Sequence, residues 1–265
     1  MKIGLVQNNI LWENKLFNLN SSKDIFKKAK DHNIDLLLFP ELSFTGFSMS
    51  IKNLADFHLE TVNYISSLCK SYHINAGIGY IEGNFESIKG KNTYALIDSR
   101  GKLLCNYTKI HPFSYANEDK YYEGGNHLNF CTINDIDICP LICYDLRFPE
   151  LFQIASKKCD LITVAANWPA SRKDHWITLL KSRAIENQCY IAGINRTGIG
   201  DKISYSGNSM IIDPSGKILS YAEDNEEDLI IADINKERVQ DIRNAFPLKK
   251  DRRENLYCNL LNSTV

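Results

Sequence analysis

The sequence predicts a layered α/β domain. Three observations carry that prediction. Apolar runs of strand length alternate with stretches of helical periodicity from one end to the other. No Gly/Ser/Pro-rich linker, charge block or low-complexity tract divides the 265 residues. Hydrophobic residues make up 44% of the chain and charged residues 24%, enough apolar matter for one substantial core.

Taken in order, residues 2–7 read as a strand. Residues 14–32 place Leu16, Leu19, Ile25, Phe26 and Ala29 on or near one helical face. Residues 35–39 form a buried strand and 55–72 a helix. Residues 76–82 and 92–97 are strands, and the turn Asp98-Ser99-Arg100-Gly101-Lys102 leads into another at 103–105. Helices at 150–157 and 174–187 alternate with strands at 161–166 and 189–195. Residues 208–212 and 218–221 flank the turn Asp213-Pro214-Ser215-Gly216, and 229–233 is a last strand. No repeat at a fixed short period is visible. Patterning leaves the order of strands in the sheets open.

The bulk properties exclude several function classes. A net charge of −1 gives no electrostatic footprint for a polyanion partner, so no nucleic acid is expected. The basic stretch Lys249-Lys250-Asp251-Arg252-Arg253 reads as a solvated C-terminal face. No apolar run approaches membrane-span length, and no basic-then-apolar leader precedes the first strand. Eight cysteines show no CxxC spacing, and several, such as Cys139 and Cys189, lie in apolar runs. The expectation is reduced thiols in a cytoplasmic protein, with no structural metal, no cofactor and no membrane partner.

Three segments carry chemistry. A strand-like run ends at Ile142-Cys143-Tyr144-Asp145-Leu146-Arg147-Phe148-Pro149-Glu150. A cysteine between a strand and a helix start can meet converging backbone N–H groups that hold a thiolate or an oxyanion. By itself, Cys143 reads better as a small buried hydrophobe. The run Leu36-Leu37-Leu38-Phe39-Pro40 leads directly to Glu41, a carboxylate at a sheet rim among apolar neighbours, where a general base can work. Asn106-Tyr107-Thr108-Lys109 ends a further strand in a compact cation. Alone, Glu41 reads better as a solvated strand-end charge and Lys109 as an ordinary surface lysine. Their joint occurrence, each at a strand end, favours one shared site.

These segments resemble the signature of the nitrilase, or carbon–nitrogen hydrolase, superfamily. So do Val164-Ala165-Ala166-Asn167-Trp168-Pro169, His175-Trp176, Ser182-Arg183-Ala184-Ile185-Glu186-Asn187-Gln188, Tyr205-Ser206-Gly207-Asn208-Ser209 and Ile212-Asp213-Pro214-Ser215-Gly216-Lys217-Ile218. The resemblance implies a single domain over residues 1–265 with a four-layer α-β-β-α sandwich. It implies a homodimer, with residues 182–187 and the C-terminal segment as interface elements. By it, Glu41 is the general base, Lys109 the oxyanion-side cation and Cys143 the nucleophile of an amidase. The backbone N–H of Tyr144 completes the oxyanion site. A second glutamate between lysine and cysteine is best matched by Glu118. Its competitor, Glu123, stands before a glycine pair and reads better as a turn residue.

Substrate contacts are expected from Arg147, Asn167, Trp168 and Arg172. Arg147 could instead pair with Asp145 or Glu150, and this structural ion pair is slightly favoured. Arg172 lies in the polar stretch Ala170-Ser171-Arg172-Lys173-Asp174, as either a solvent-facing charge or a carboxylate clamp. Trp168 could be a core or turn residue. Within the superfamily the motifs are most similar to the ω-amidase branch, which hydrolyses the terminal amide of α-keto acids such as 2-oxoglutaramate. Alternatives are an amidase for a deaminated peptide, an N-carbamoyl compound or a nitrile. A transferase using the same acyl-enzyme, and a catalytically silent interaction module of the same fold, are also open.

Overall fold

A computed structural model describes residues 1–263 of the chain. The elements in order are β1 (Lys2–Gln7), α1 (Lys15–Asp31), β2 (Leu36–Leu38), α2 (Ile51–Leu54), α3 (Glu60–Tyr72), β3 (Asn75–Glu82), β4 (Lys91–Ile97) and β5 (Leu103–Thr108). Then come α4 (Glu118–Tyr121), β6 (Cys131–Ile133), β7 (Ile136–Ile142), α5 (Pro149–Ala155), β8 (Leu161–Ala166), α6 (Lys173–Asn187) and β9 (Tyr190–Asn195). The chain continues through β10 (Thr197–Gly200), β11 (Ile203–Ser206), β12 (Met210–Ile212), β13 (Ile218–Tyr221) and β14 (Asp228–Asp233). It ends in α7 (Lys236–Ala245) and α8 (Glu254–Ser263).

Two six-stranded sheets form the centre, ordered β14-β1-β2-β3-β4-β5 and β13-β12-β9-β8-β7-β6. In the first, β1, β2 and β3 are parallel, with β4, β5 and β14 antiparallel to their neighbours. In the second, β7, β8 and β9 are parallel and β12, β13 and β6 are antiparallel to theirs. The two sheets therefore share one strand pattern, and β1 and β2 correspond to β7 and β8. Alternation of side chains sets the layers. Leu36 and Leu38 of β2 face the second sheet, where they meet Leu141, Val164 and Ile194 in one core. Leu37 faces the other way, into a core with Phe26 of α1 and Ile65 of α3. Helices α5 and α6 cover the far side of the second sheet through Phe152, Trp176, Leu180 and Ala184. The result is a four-layer α-β-β-α sandwich.

The structure amends the sequence reading in several places. The helix expected over 55–72 begins at Glu60, because Asp56 N donates to Ile81 O (2.8 Å) and its carboxylate accepts from Thr61 N (2.7 Å). That aspartate ties the chain to β3 and caps the following helix. The β10–β11 hairpin turns at Asp201-Lys202, both with positive φ (46° and 62°), a two-residue turn of the kind that suits strand twist. Lys249 is not part of a solvated face. Its Nζ donates to Ser156 O (3.0 Å) and Oγ (2.6 Å). Burial, with help from nearby Arg243, pulls its pKa down to about 8. All eight cysteines are free. Among the described residues no helix is long and apolar enough to cross a membrane.

Candidate active site

The site forms where strands from both sheets end. Two antiparallel reversals make β5 run in the same direction as β2, so Glu41 and Lys109 emerge at one edge of the first sheet. Cys143 and Asn167 follow the parallel strands β7 and β8 of the second. Glu41 is anchored by its own loop. Tyr94 OH donates to Phe39 O (2.8 Å), and Ser43 Oγ, which donates to Pro40 O (2.5 Å), accepts from Gly79 N (2.8 Å). Gly79 is required here, because a Cβ on it would lie 2.3 Å from Leu42 N.

Lys109 is the hub. Its side chain is 1% exposed, and those of Glu41 and Glu118 are 0%. Nζ donates to Glu41 Oε1 at 2.9 Å and to Glu118 Oε2 at 2.9 Å and Oε1 at 3.2 Å. Burial alone would push the ammonium toward neutrality. Glu118 and Glu41, with Cys143, overcome it and hold Lys109 well above its ordinary pKa. The register of β4 and β5 sets Asn92 beside Lys109, with Lys109 N donating to Asn92 O (2.9 Å). Asn92 Nδ2 then donates to both carboxylates, at 2.8 Å to Glu41 and 2.9 Å to Glu118. Glu118 Oε2 also accepts from Phe113 N (2.5 Å). Glu123 lies apart from this cluster and accepts from Ser87 Oγ (2.7 Å).

The second sheet adds the nucleophile and a bond to the base. Asn167 N donates to Glu41 Oε2 (2.8 Å), and its Nδ2 donates to Glu41 O (2.7 Å). Cys143 has φ +43°, a left-handed conformation that costs a non-glycine residue roughly 1–3 kcal/mol when strained. Asp145, fully buried, holds that turn. It accepts from Ile142 N (3.1 Å) and Tyr107 OH (2.7 Å), and from His111 N (3.1 Å) and Nδ1 (2.9 Å). One carboxylate thus fastens the nucleophile's turn to the strand and loop on either side of Lys109. Desolvation, followed by Glu41, raises the Cys143 pKa well above its ordinary value, despite Lys109. The thiol at rest is neutral, and its proton must leave as it attacks.

These groups open into a cavity of about 270 Å³. Its lining includes Glu41, Lys109, Cys143, Tyr144, Asn167 and Trp168. Glu118 lies outside the lining, against Lys109. Arg147 and Arg172 also face the cavity. The slightly favoured ion pair between Arg147 and Asp145 or Glu150 is not formed, because Asp145 is taken up by Tyr107 and His111. Arg147 instead lies 4.8 Å from the Trp168 ring centroid and donates to His175 Nδ1 (3.2 Å). Arg172 lies 5.5 Å from the Phe113 ring centroid, and its carbonyl accepts from Trp168 Nε1 (2.8 Å). Among the described residues neither arginine has an acidic partner, and no cluster could hold a metal ion. Sequence reading missed Asn92 and Asp145, and also Phe47, Phe113 and Tyr205, which line the cavity. Asn92 carried a signal, since it opens a strand paired with the one ending at Lys109.

Two outcomes follow from this geometry. Glu118→Gln removes one of the two charges that keep Lys109 ionised. It should lower kcat by about two to four orders of magnitude, with Glu123→Gln close to wild type in steady-state assays. The raised Cys143 pKa also fixes a sign. The thiol stays protonated as pH rises to its ordinary value, so the ultraviolet thiolate absorbance of wild type minus Cys143→Ala should stay flat from about pH 6 to 9.

Comparison with known proteins agrees with this arrangement. The model of the carbon–nitrogen hydrolase family matches residues 2–244. The chain is 32% identical over 244 residues to a 2-oxoglutaramate amidase of Bacillus subtilis, covering 91% of this chain and 93% of that protein. It is 33% identical over 252 residues to the omega-amidase YafV of Yersinia enterocolitica, covering 95% and 96%. Among solved structures, XC1258 of Xanthomonas campestris superposes with a TM-score of 0.89 at 27% identity, covering 95% and 97% of the two chains. That structure carries an arsenic adduct in its active site. With its Glu41, Lys109 and Cys143 joined at one cavity, this chain belongs to the carbon–nitrogen hydrolase family and is a cysteine-dependent amidohydrolase.

Proposed function

We propose that the protein hydrolyses the terminal amide of a small carboxylate-bearing substrate, an α-keto acid monoamide such as 2-oxoglutaramate. One observation carries this reading. Two guanidiniums without acidic partners, Arg147 and Arg172, face the same small cavity as the nucleophile. A cation held on an aromatic shelf and lacking a counter-ion suits a substrate anion. The cavity volume lies near the lower end for ligand sites, about 300–1,000 Å³, which suits a short acyl chain. The 2-oxoglutaramate amidase and omega-amidase relatives support the same substrate class.

In the proposed mechanism Cys143 Sγ bonds to the amide carbon as its proton passes to Glu41. The carbonyl electron pair moves onto oxygen, where Lys109 and the backbone N–H of Tyr144 hold the charge. Collapse expels the nitrogen, which takes the proton from Glu41 and leaves as ammonia. Water then attacks the thioester, Glu41 accepts its proton, and the carboxylic product departs as the thiol is re-formed. Glu118 keeps Lys109 charged and in place, and Asn167 and Trp168 wall the pocket. No step calls for a metal or cofactor. The reading includes a single-domain enzyme of the cytoplasm that works as a homodimer. Ile154 and Ile185, apolar and exposed on α5 and α6, support pairing across those helices.

Mass spectrometry of the intact protein during turnover of 2-oxoglutaramate should show an acyl adduct, absent from Cys143→Ala. Arg172→Ala should raise KM for 2-oxoglutaramate at least tenfold, because truncating one partner of a desolvated charge pair costs about 2–5 kcal/mol. Its effect on a neutral short-chain amide should be smaller. Good turnover of a neutral amide, a nitrile or an N-carbamoyl compound, with none of any keto-acid amide, would remove the ω-amidase reading.

A further inference from the structure

The cavity lining also includes Tyr205 and Ile203 of the β10–β11 hairpin. Tyr205 is 2% exposed, yet among the described residues its hydroxyl makes no hydrogen bond. A buried phenol ordinarily finds a partner. The Tyr205 oxygen is not sealed off as the unpaired hydroxyl of Tyr64 is, so it meets the open cavity and can bond what enters.

The ring is supported from behind by an unusual group. Arg196 is 0% exposed, and its guanidinium lies 4.7 Å from the Tyr205 ring centroid. It donates to Thr197 O (3.1 Å), Ile10 O (2.8 Å), Ile199 O (3.2 Å) and Asn9 Oδ1 (3.2 Å), all uncharged acceptors. Among the described residues its Nη1 has no hydrogen-bond partner. Glycine makes room for it, because a Cβ on Gly200 would lie 2.7 Å from Nη1. Burial lowers the Arg196 pKa to about 10, which leaves it charged at neutrality. A buried cation without an acid nearby keeps its field, and here the field falls on a π face. The ring is thereby held in place. Burial, assisted by Glu41 and Cys143 and opposed by Arg196, raises the phenol's pKa, so it remains protonated.

We propose that Tyr205 is a specificity-determining residue whose hydroxyl donates to a neutral oxygen on the substrate's acyl chain, the 2-oxo group of an α-keto acid monoamide. The division of labour follows from chemistry. A single neutral donor suits a ketone oxygen, whereas guanidiniums suit the adjacent carboxylate. The placement fits as well, since β11 packs against the segment Ala170–Arg172 that carries one guanidinium. Tyr205 shares the cavity lining with Cys143 and with both arginines. The identity of the oxygen rests on the amidase reading above.

Four amides test the two claims separately. 2-Oxoglutaramate and glutaramate differ by the oxo group, as do 4-oxopentanamide and pentanamide, and the second pair lacks the carboxylate. Poor substrates are measured as competitive inhibitors. Wild type should favour the oxo member of each pair. In Tyr205→Phe both preferences should shrink about tenfold, through KM or Ki rather than kcat, as for one lost hydrogen bond. Thermal unfolding of the variant is followed in parallel. Preferences that survive in Tyr205→Phe overturn the proposal. So does an equal fall in kcat on every turned-over amide, which would place the hydroxyl on the hydrolytic water. Absence of any wild-type gain from the carboxylate would instead defeat the ω-amidase reading, with the neutral pair still reporting on Tyr205.

Discussion

The pocket depends on keeping one ammonium ion charged inside the protein. Lys109 is buried, and water supplies none of its stabilisation. Two carboxylates do so, and they differ in duty. Glu118 accepts from Lys109 with both oxygens and lies outside the cavity lining, while Glu41 shares one oxygen with Lys109 and meets Asn167 with the other. Removing either partner of such a buried ion pair would strand an uncompensated charge. This explains why Asn92 is inserted between the two acids. Its amide donates to both where the ammonium alone provides one positive charge for two negative ones. Burial comes first in keeping the thiol neutral, and the same economy adds to it. With negative charge already in excess, a standing thiolate would be a third anion, so the sulfur keeps its proton until a substrate arrives.

Much of this was legible in the chain. Leu36-Leu37-Leu38 and the run ending at Ile142 are apolar on both faces, as strands sandwiched between layers must be. A charged or nucleophilic residue directly after such a run has little choice of position, which is why Glu41, Lys109 and Cys143 could be read as one group. What was illegible depends on relations between sheets. Asp145 looks like an ion-pair partner for Arg147 when only neighbours in sequence are considered. The fold spends it on Tyr107 and His111, which arrive from the other sheet. Arg196 gave no signal, and Tyr205 stood only within a family-like segment, because a cation on a ring requires a hairpin whose turn, Asp201-Lys202, has no glycine to announce it.

The shared strand pattern of the two sheets was also hidden. Corresponding strands occupy equivalent places but bear unrelated residues, so no short period appears in the sequence. Glu41 after β2 and Asn167 after β8 hold equivalent positions, and they bond to each other across the sandwich. The quasi-repeat therefore meets at its own seam, and the seam is where the chemistry is placed.

That seam divides ownership of the reaction. The first sheet and the loop after it own the proton acceptor, the cation and its counter-charge. The second owns the sulfur. Neither layer alone contains a competent site. Only the tight seating of one layer on the other brings sulfur and carboxylate within reach. Turnover is accordingly a gauge of how well the two layers are docked.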